Sequence, residues 1–107
     1  MAVTARLGVL WLLLAALVAA PAAADFLNSY KQALAALEES DWAAAEEHLR
    51  AALAERPEED KRLLKGLFLK PYLPHYHLGV ALAEQGDCRG ALAAWAESER
   101  QGIITER

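Results

Sequence analysis

His48, His75, His77, Cys88 and two adjacent glutamate pairs are the side chains of this sequence best suited to chemistry, and their spacing argues against it. On a helix, His75 and His77 diverge by about 200°, so they do not chelate one ion together, and His48 stands alone. A structural metal site wants three or four convergent ligands. Cys88 and His77 have the types of a thiol nucleophile and its base, but mostly helical chain separates them, roughly 15 Å at helical rise. Cys88 therefore reads as a small apolar filler. Glu38-Glu39 and Glu46-Glu47 are neighbours in sequence that face different ways, which describes solvated surface and not an acid/base dyad. No catalytic residue, metal or cofactor is expected.

Lys61, Arg62, Lys65 and Lys70 interleave with Leu63, Leu64, Leu67 and Phe68. An amphipathic strap of that kind lays its apolar residues on neighbouring helices and turns its lysines outward. A role at a membrane surface or toward an anionic partner is the alternative.

The elements behind these residues come in two copies, 46 positions apart. Tyr30/Tyr76, Ala35/Ala81, Glu38/Glu84, Asp41/Asp87 and Ala45/Ala91 are identical between them, with small residues at Ala33/Gly79 and bulky apolar ones at Leu49/Trp95. Each copy reads as an alanine-rich helix, a polar turn and a second alanine-rich helix. In the first copy, Leu27, Tyr30, Leu34 and Leu37 keep helical spacing. Ser40-Asp41 breaks that run and can cap the next helix, predicted over 42–56 with Ala45, Leu49, Ala52 and Leu53 as its buried stripe. In the second copy, helices are predicted over 75–85 and 88–101, the latter ended by Gly102. Between the copies, Glu58-Glu59-Asp60-Lys61-Arg62 reads as a solvated charge run. Residues 63–74 carry one glycine and two prolines, which oppose a continuous helix and suit an extended or irregular strap.

Residues 1–24 have the pattern of a secretory signal: Arg6, an uncharged apolar run over 7–20, then Pro21 and the small-x-small pair Ala22 and Ala24, with cleavage expected after Ala24. The alternative is an uncleaved anchor, since the uncharged stretch is near the lower limit for spanning a bilayer. Removing this segment leaves 83 residues with 10 basic against 15 acidic side chains, net −5. That balance excludes ordinary nucleic-acid binding, which rewards dense positive charge. With Cys88 as its one cysteine, the chain has no internal disulfide, so packing alone must hold the core.

His75-x2-Leu78-Gly79-x2-Leu82 followed by Ala91-x3-Trp95 resembles the tetratricopeptide repeat (TPR) pattern W-x2-L-G-x2-Y…A-x3-F…P. The first copy keeps Ala33, Ala45-x3-Leu49 and Pro57. Cys88 stands where the family carries an aromatic, Ile103 where it carries proline, and Ser29 and Gln32 fill apolar sites of the first copy. The spacing exceeds the family's 34 residues, which implies an insertion. The segment around Tyr72-Leu73-Pro74-His75-Tyr76 also looks like the amino-terminal TPR segment of larger secreted bacterial proteins.

The resemblance implies an all-α fold of two antiparallel TPR-like hairpins, a short α-solenoid. Its parts are repeat 1 over 25–57, an irregular insertion or strap over 58–71, and repeat 2 over 72–107. Ala33, Ala45, Leu49, Gly79, Ala91 and Trp95 become the repeat-packing residues, with Trp95 the most damaging to truncate. The first helices of the repeats would line a peptide- or protein-binding groove with Leu27, Tyr30, Lys31, Leu34, Glu38, Leu73, Tyr76, His77, Val80 and Glu84. For the two tyrosines, packing against the strap is the alternative. The function implied is an exported, non-catalytic protein-interaction scaffold of a bacterial envelope, periplasmic or secreted. The alternative is an accessory or regulatory TPR segment of a longer secreted or envelope protein whose activity lies beyond residue 107. The partner is a protein or peptide, with no nucleic acid and no membrane contact after signal removal. The last helix has no capping helix after it, so its open apolar face beside Leu92 and Trp95 is expected to take a second copy or further repeats.

Overall fold

The computed structural model describes residues 26–65 and 68–104, apart from the side chains of 62–65, 68 and 69. The expected signal segment lies outside the described residues. Among those described, four helices and one strand pair follow in order: α1 (Phe26–Glu38), α2 (Trp42–Glu55), β1 (Asp60–Lys65), β2 (Phe68–Tyr72), α3 (Pro74–Glu84) and α4 (Cys88–Gln101). The helices pack in chain order, α1 on α2, α2 on α3 and α3 on α4. No described helix is long and apolar enough to cross a membrane.

The two interhelical turns are built alike because the same backbone problem is solved twice. After α1, the Asp41 amide donates to the Ala36 carbonyl at 2.9 Å and the Ser40 amide to Leu37 at 3.1 Å. After α3, Asp87 donates to Leu82 at 2.9 Å and Gly86 to Ala83 at 3.0 Å. Both are Schellman closures that satisfy the last carbonyls of the helix. Asp41 and Asp87 then cap α2 and α4, their carboxylates accepting from the Ala44 and Gly90 amides. These closures need a left-handed residue, and the copies supply it differently: Gly86 at φ 88° and Ser40 at φ 58°.

A side chain in that conformation costs roughly 1–2 kcal/mol, part of which glycine's extra chain entropy takes back. Ser40→Gly is therefore expected to stabilise the fold by about 0.5–1 kcal/mol, and Gly86→Ala to destabilise it by about 1 kcal/mol. Urea midpoints check this. A destabilised Ser40→Gly chain would show that the serine does more than turn the backbone.

Small residues set how closely the helices approach. Ala36, Ala45 and Ala81 meet where α1, α2 and α3 come together. The larger cluster gathers Tyr30, Ala33, Leu49, Ala52, Tyr72, Leu78, Leu82, Ala91 and Ala94, flanked by Phe26, Leu27, Leu53 and Trp95 among others. Gly79 is buried, and a methyl group there would run into the Trp95 indole, so the glycine makes the room in which that ring lies. The indole Nε1 donates to the Tyr76 carbonyl at 3.0 Å, which fixes its plane. Trp95 itself is only half-buried, however, and the fully buried large side chains are Tyr30, Tyr72, Leu49 and Pro74. The expected primacy of Trp95 passes to these.

The insertion corrects the expectation of an all-α chain with an irregular strap. It is an antiparallel pair in the register Leu63↔Lys70, Leu64↔Leu69 and Lys65↔Phe68, with a slip before Asp60↔Tyr72. Two short apolar runs flanking a glycine are a hairpin signal even without alternation. Pro71, which lacks an amide to donate, falls where the register slips and ordinary pairing has stopped. How Leu63, Leu64, Leu67 and Phe68 lie, and where Arg62 and Lys65 point, falls outside the described side chains.

Candidate functional site

α1 and α3 leave a groove of about 440 Å³ between them, lined by Leu34, Leu37 and Glu38 from α1 and by Tyr76, His77 and Val80 from α3. Trp42, the first residue of α2, and Lys70, from β2, complete it. The lining is mainly apolar, with one carboxylate and one ammonium. His77 packs against Tyr30 and Tyr76, ring centroids 6.0 and 5.1 Å away. Burial pushes its imidazole below the ordinary histidine range, so at neutral pH it is an uncharged aromatic surface. The groove can therefore receive apolar side chains over aromatic rings, with a charge of either sign at hand for orientation.

Of the ten groove residues expected, Leu34, Glu38, Tyr76, His77 and Val80 are brought together here. Lys31 and Glu84 are exposed elsewhere, and Leu27 and Leu73 are half-buried outside the lining. Tyr30 is 1% exposed and belongs to the core. Its hydroxyl donates to the Pro71 carbonyl and accepts from the Leu73 amide, both at 3.1 Å. Burial raises its phenol pKa. Tyr30 thus clamps the strand end instead of facing a ligand. Leu37, Trp42 and Lys70 were not foreseen in the groove. Trp42 opens a second helix and Lys70 sits in the insertion, so a search confined to first helices passes over both.

A second polar arrangement lies beside α3. Glu59, assigned by its neighbours to a solvated run, is 6% exposed. Its Oε2 accepts from the amides of His75 (2.9 Å) and Tyr76 (3.3 Å), and its Oε1 accepts from Ser98 Oγ at 2.8 Å. The residue at the N-cap position of α3, Leu73, has no side-chain oxygen, so Glu59 supplies the acceptor from a distance. The Glu59 amide in turn donates to Gln101 Oε1 at 2.6 Å, and Gln101 Nε2 donates to the Pro57 carbonyl at 3.1 Å. His75 Nε2 lies 2.9 Å from the same Pro57 oxygen, which requires the Nε2–H tautomer. This clasp is structural: it joins the loop before β1 to the start of α3 and the end of α4.

Cys88 is exposed at the first position of α4, not a core filler. Among the described residues, no three His, Cys, Asp or Glu side chains are grouped to hold a metal ion. No protein-family model matches the sequence, and neither the curated proteins nor the solved structures provide a match.

Proposed function

We propose that the chain is a non-catalytic scaffold that binds another protein or peptide through the groove between α1 and α3. The observation that carries this reading is the groove's lining: apolar and aromatic side chains on two rigid helices, with Glu38 and Lys70 among them. Its size falls in the range of roughly 300–1,000 Å³ that specific ligands occupy. The helices form two TPR-like hairpins in a short solenoid, and the chain is exported to a bacterial periplasm or beyond through the segment 1–24. Successive packing of α1 to α4 and the matching turns support the solenoid, and the apolar run after Arg6 supports export.

Val80→Glu tests the groove, because it puts a carboxylate into the apolar lining without touching the core residues. Pull-down from a native envelope extract is expected to lose its partners with this variant, at least roughly tenfold, while the melting temperature stays near that of the wild type. Partners captured equally by both proteins would remove the groove from the function.

A further inference from the structure

A separate groove of about 360 Å³ lies against the end of α4, lined by Tyr76, Trp95, Ser98, Glu99 and Ile104. Shifted back by the 46-residue repeat, the first four become Tyr30, Leu49, Ala52 and Leu53. All four of those belong to or pack against the cluster that contains Tyr72. In the first copy the slot is full. The Tyr72 ring stands 4.8 Å from Tyr30 edge to face, its hydroxyl donates to the Arg56 carbonyl at 2.8 Å with Ala52 at 3.3 Å, and Tyr30 grips the backbone on either side of it. Leu78 and Leu82 of the following helix join the same cluster.

In the second copy the corresponding groups are in place and the slot is open. Tyr76 is 40% exposed and Ile104 43% exposed. By the same offset, the carbonyls of Ser98 and Gly102 correspond in sequence to those of Ala52 and Arg56, and Gly102 closes on Ser98 at 3.2 Å as Arg56 closes on Ala52 at 2.8 Å, although Gly102 is left-handed (φ 70°) where Arg56 is extended (φ −139°). The groove therefore continues, one repeat further on, an interface the chain already makes with itself.

We infer that this groove receives a partner segment of the kind the chain uses internally: an extended stretch whose tyrosine or phenylalanine enters the slot, running directly into a mostly apolar helix. The Tyr76 hydroxyl binds the backbone flanking that aromatic, donating to the carbonyl before it and accepting from the amide after it. Exposed Glu99 at the groove favours a basic residue in the segment. A second copy docking head to tail is disfavoured, because α1 carries Gln32 and Ala36 where α3 carries Leu78 and Leu82, and its exposed side chains include Asn28, Lys31, Gln32 and Glu38. The site shares only Tyr76 with the α1–α3 groove and does not rest on it.

The probe is a fluorescent synthetic peptide with the sequence of residues 70–85, titrated against the full 107-residue chain. Saturable binding is expected at roughly 10–500 µM, weakened about fivefold by Tyr76→Phe and at least about tenfold by Ile104→Glu. The same peptide carrying Tyr72→Ala is expected not to bind. Val80→Glu, confined to the other groove, is expected to bind like wild type. Equal binding by the Tyr72→Ala peptide or by Ile104→Glu, or no saturation up to about 1 mM, overturns the assignment. A wild-type dimer in light scattering that Ile104→Glu turns into monomer also overturns it, by giving the groove to a second copy.

Discussion

Tyr72→Ala is expected to cost about 3–5 kcal/mol, the largest loss from any single truncation in the chain. Tyr72 is 0% exposed and stands at the end of β2, where it plugs the space between α1 and α2. Phe26 and Tyr30 meet its ring edge-on at 5.2 and 4.8 Å, and the Arg56 guanidinium lies 5.9 Å from its centroid. Burial holds its phenol far above the ordinary range, so it remains a neutral donor to the Arg56 carbonyl. Removing it opens a cavity between the first hairpin and the second and cuts the insertion loose from α2. Against a total stability of about 5–15 kcal/mol, that leaves little cooperative unfolding to observe. Tyr72→Phe keeps the ring and removes only the hydroxyl, so about 1–2 kcal/mol is expected. Urea unfolding followed by circular dichroism separates the two. A Tyr72→Ala midpoint within error of wild type would mean that the ring does not hold the hairpins together.

The helices were legible because their signals are local. Leu27, Tyr30, Leu34 and Leu37 keep one period, Asp41 and Asp87 sit where a cap must, and Gly102 ends α4 in a left-handed conformation. The close approaches were legible too, since Ala33, Ala45 and Gly79 are small for a reason visible in their spacing. What escaped is what depends on the insertion. Equivalence in sequence made Tyr30 and Tyr76 look like one recognition pair. In the structure Tyr72 arrives from the insertion and occupies the slot at Tyr30 alone, so one tyrosine is a core residue and its copy is surface. Trp95 was ranked by its type, but burial decides the cost of truncation, and Trp95 is only half-buried. Pairing of β1 with β2 also carries no alternation that a period search could detect, because the register slips near Pro71.

Glu59 shows most plainly why a charge run cannot be read by composition alone, and its replacement is the second large effect expected. A clue was present: α3 begins Leu73-Pro74, with no serine, threonine, aspartate or asparagine to cap it, and Ser98 falls on the buried face of α4. A helix start without a local acceptor must find one elsewhere. Glu59→Ala leaves the His75 and Tyr76 amides and the Ser98 hydroxyl without their acceptor, and a loss of about 2–4 kcal/mol is expected. In Glu59→Gln the side-chain carbonyl still accepts from the amides, and Ser98 can reverse its hydroxyl to accept from the new amide. Only the charge assistance at the helix start goes, for about 1 kcal/mol. Glu58→Ala, one residue away and exposed, is expected to stay within about 0.5 kcal/mol of wild type. Hydrogen exchange adds a local readout, since the His75 and Tyr76 amides are expected to lose protection in Glu59→Ala beyond the global change. If Glu59→Ala and Glu58→Ala unfold alike and those amides exchange alike, the carboxylate does not cap α3, and the clasp between the insertion, α3 and α4 has to be given up.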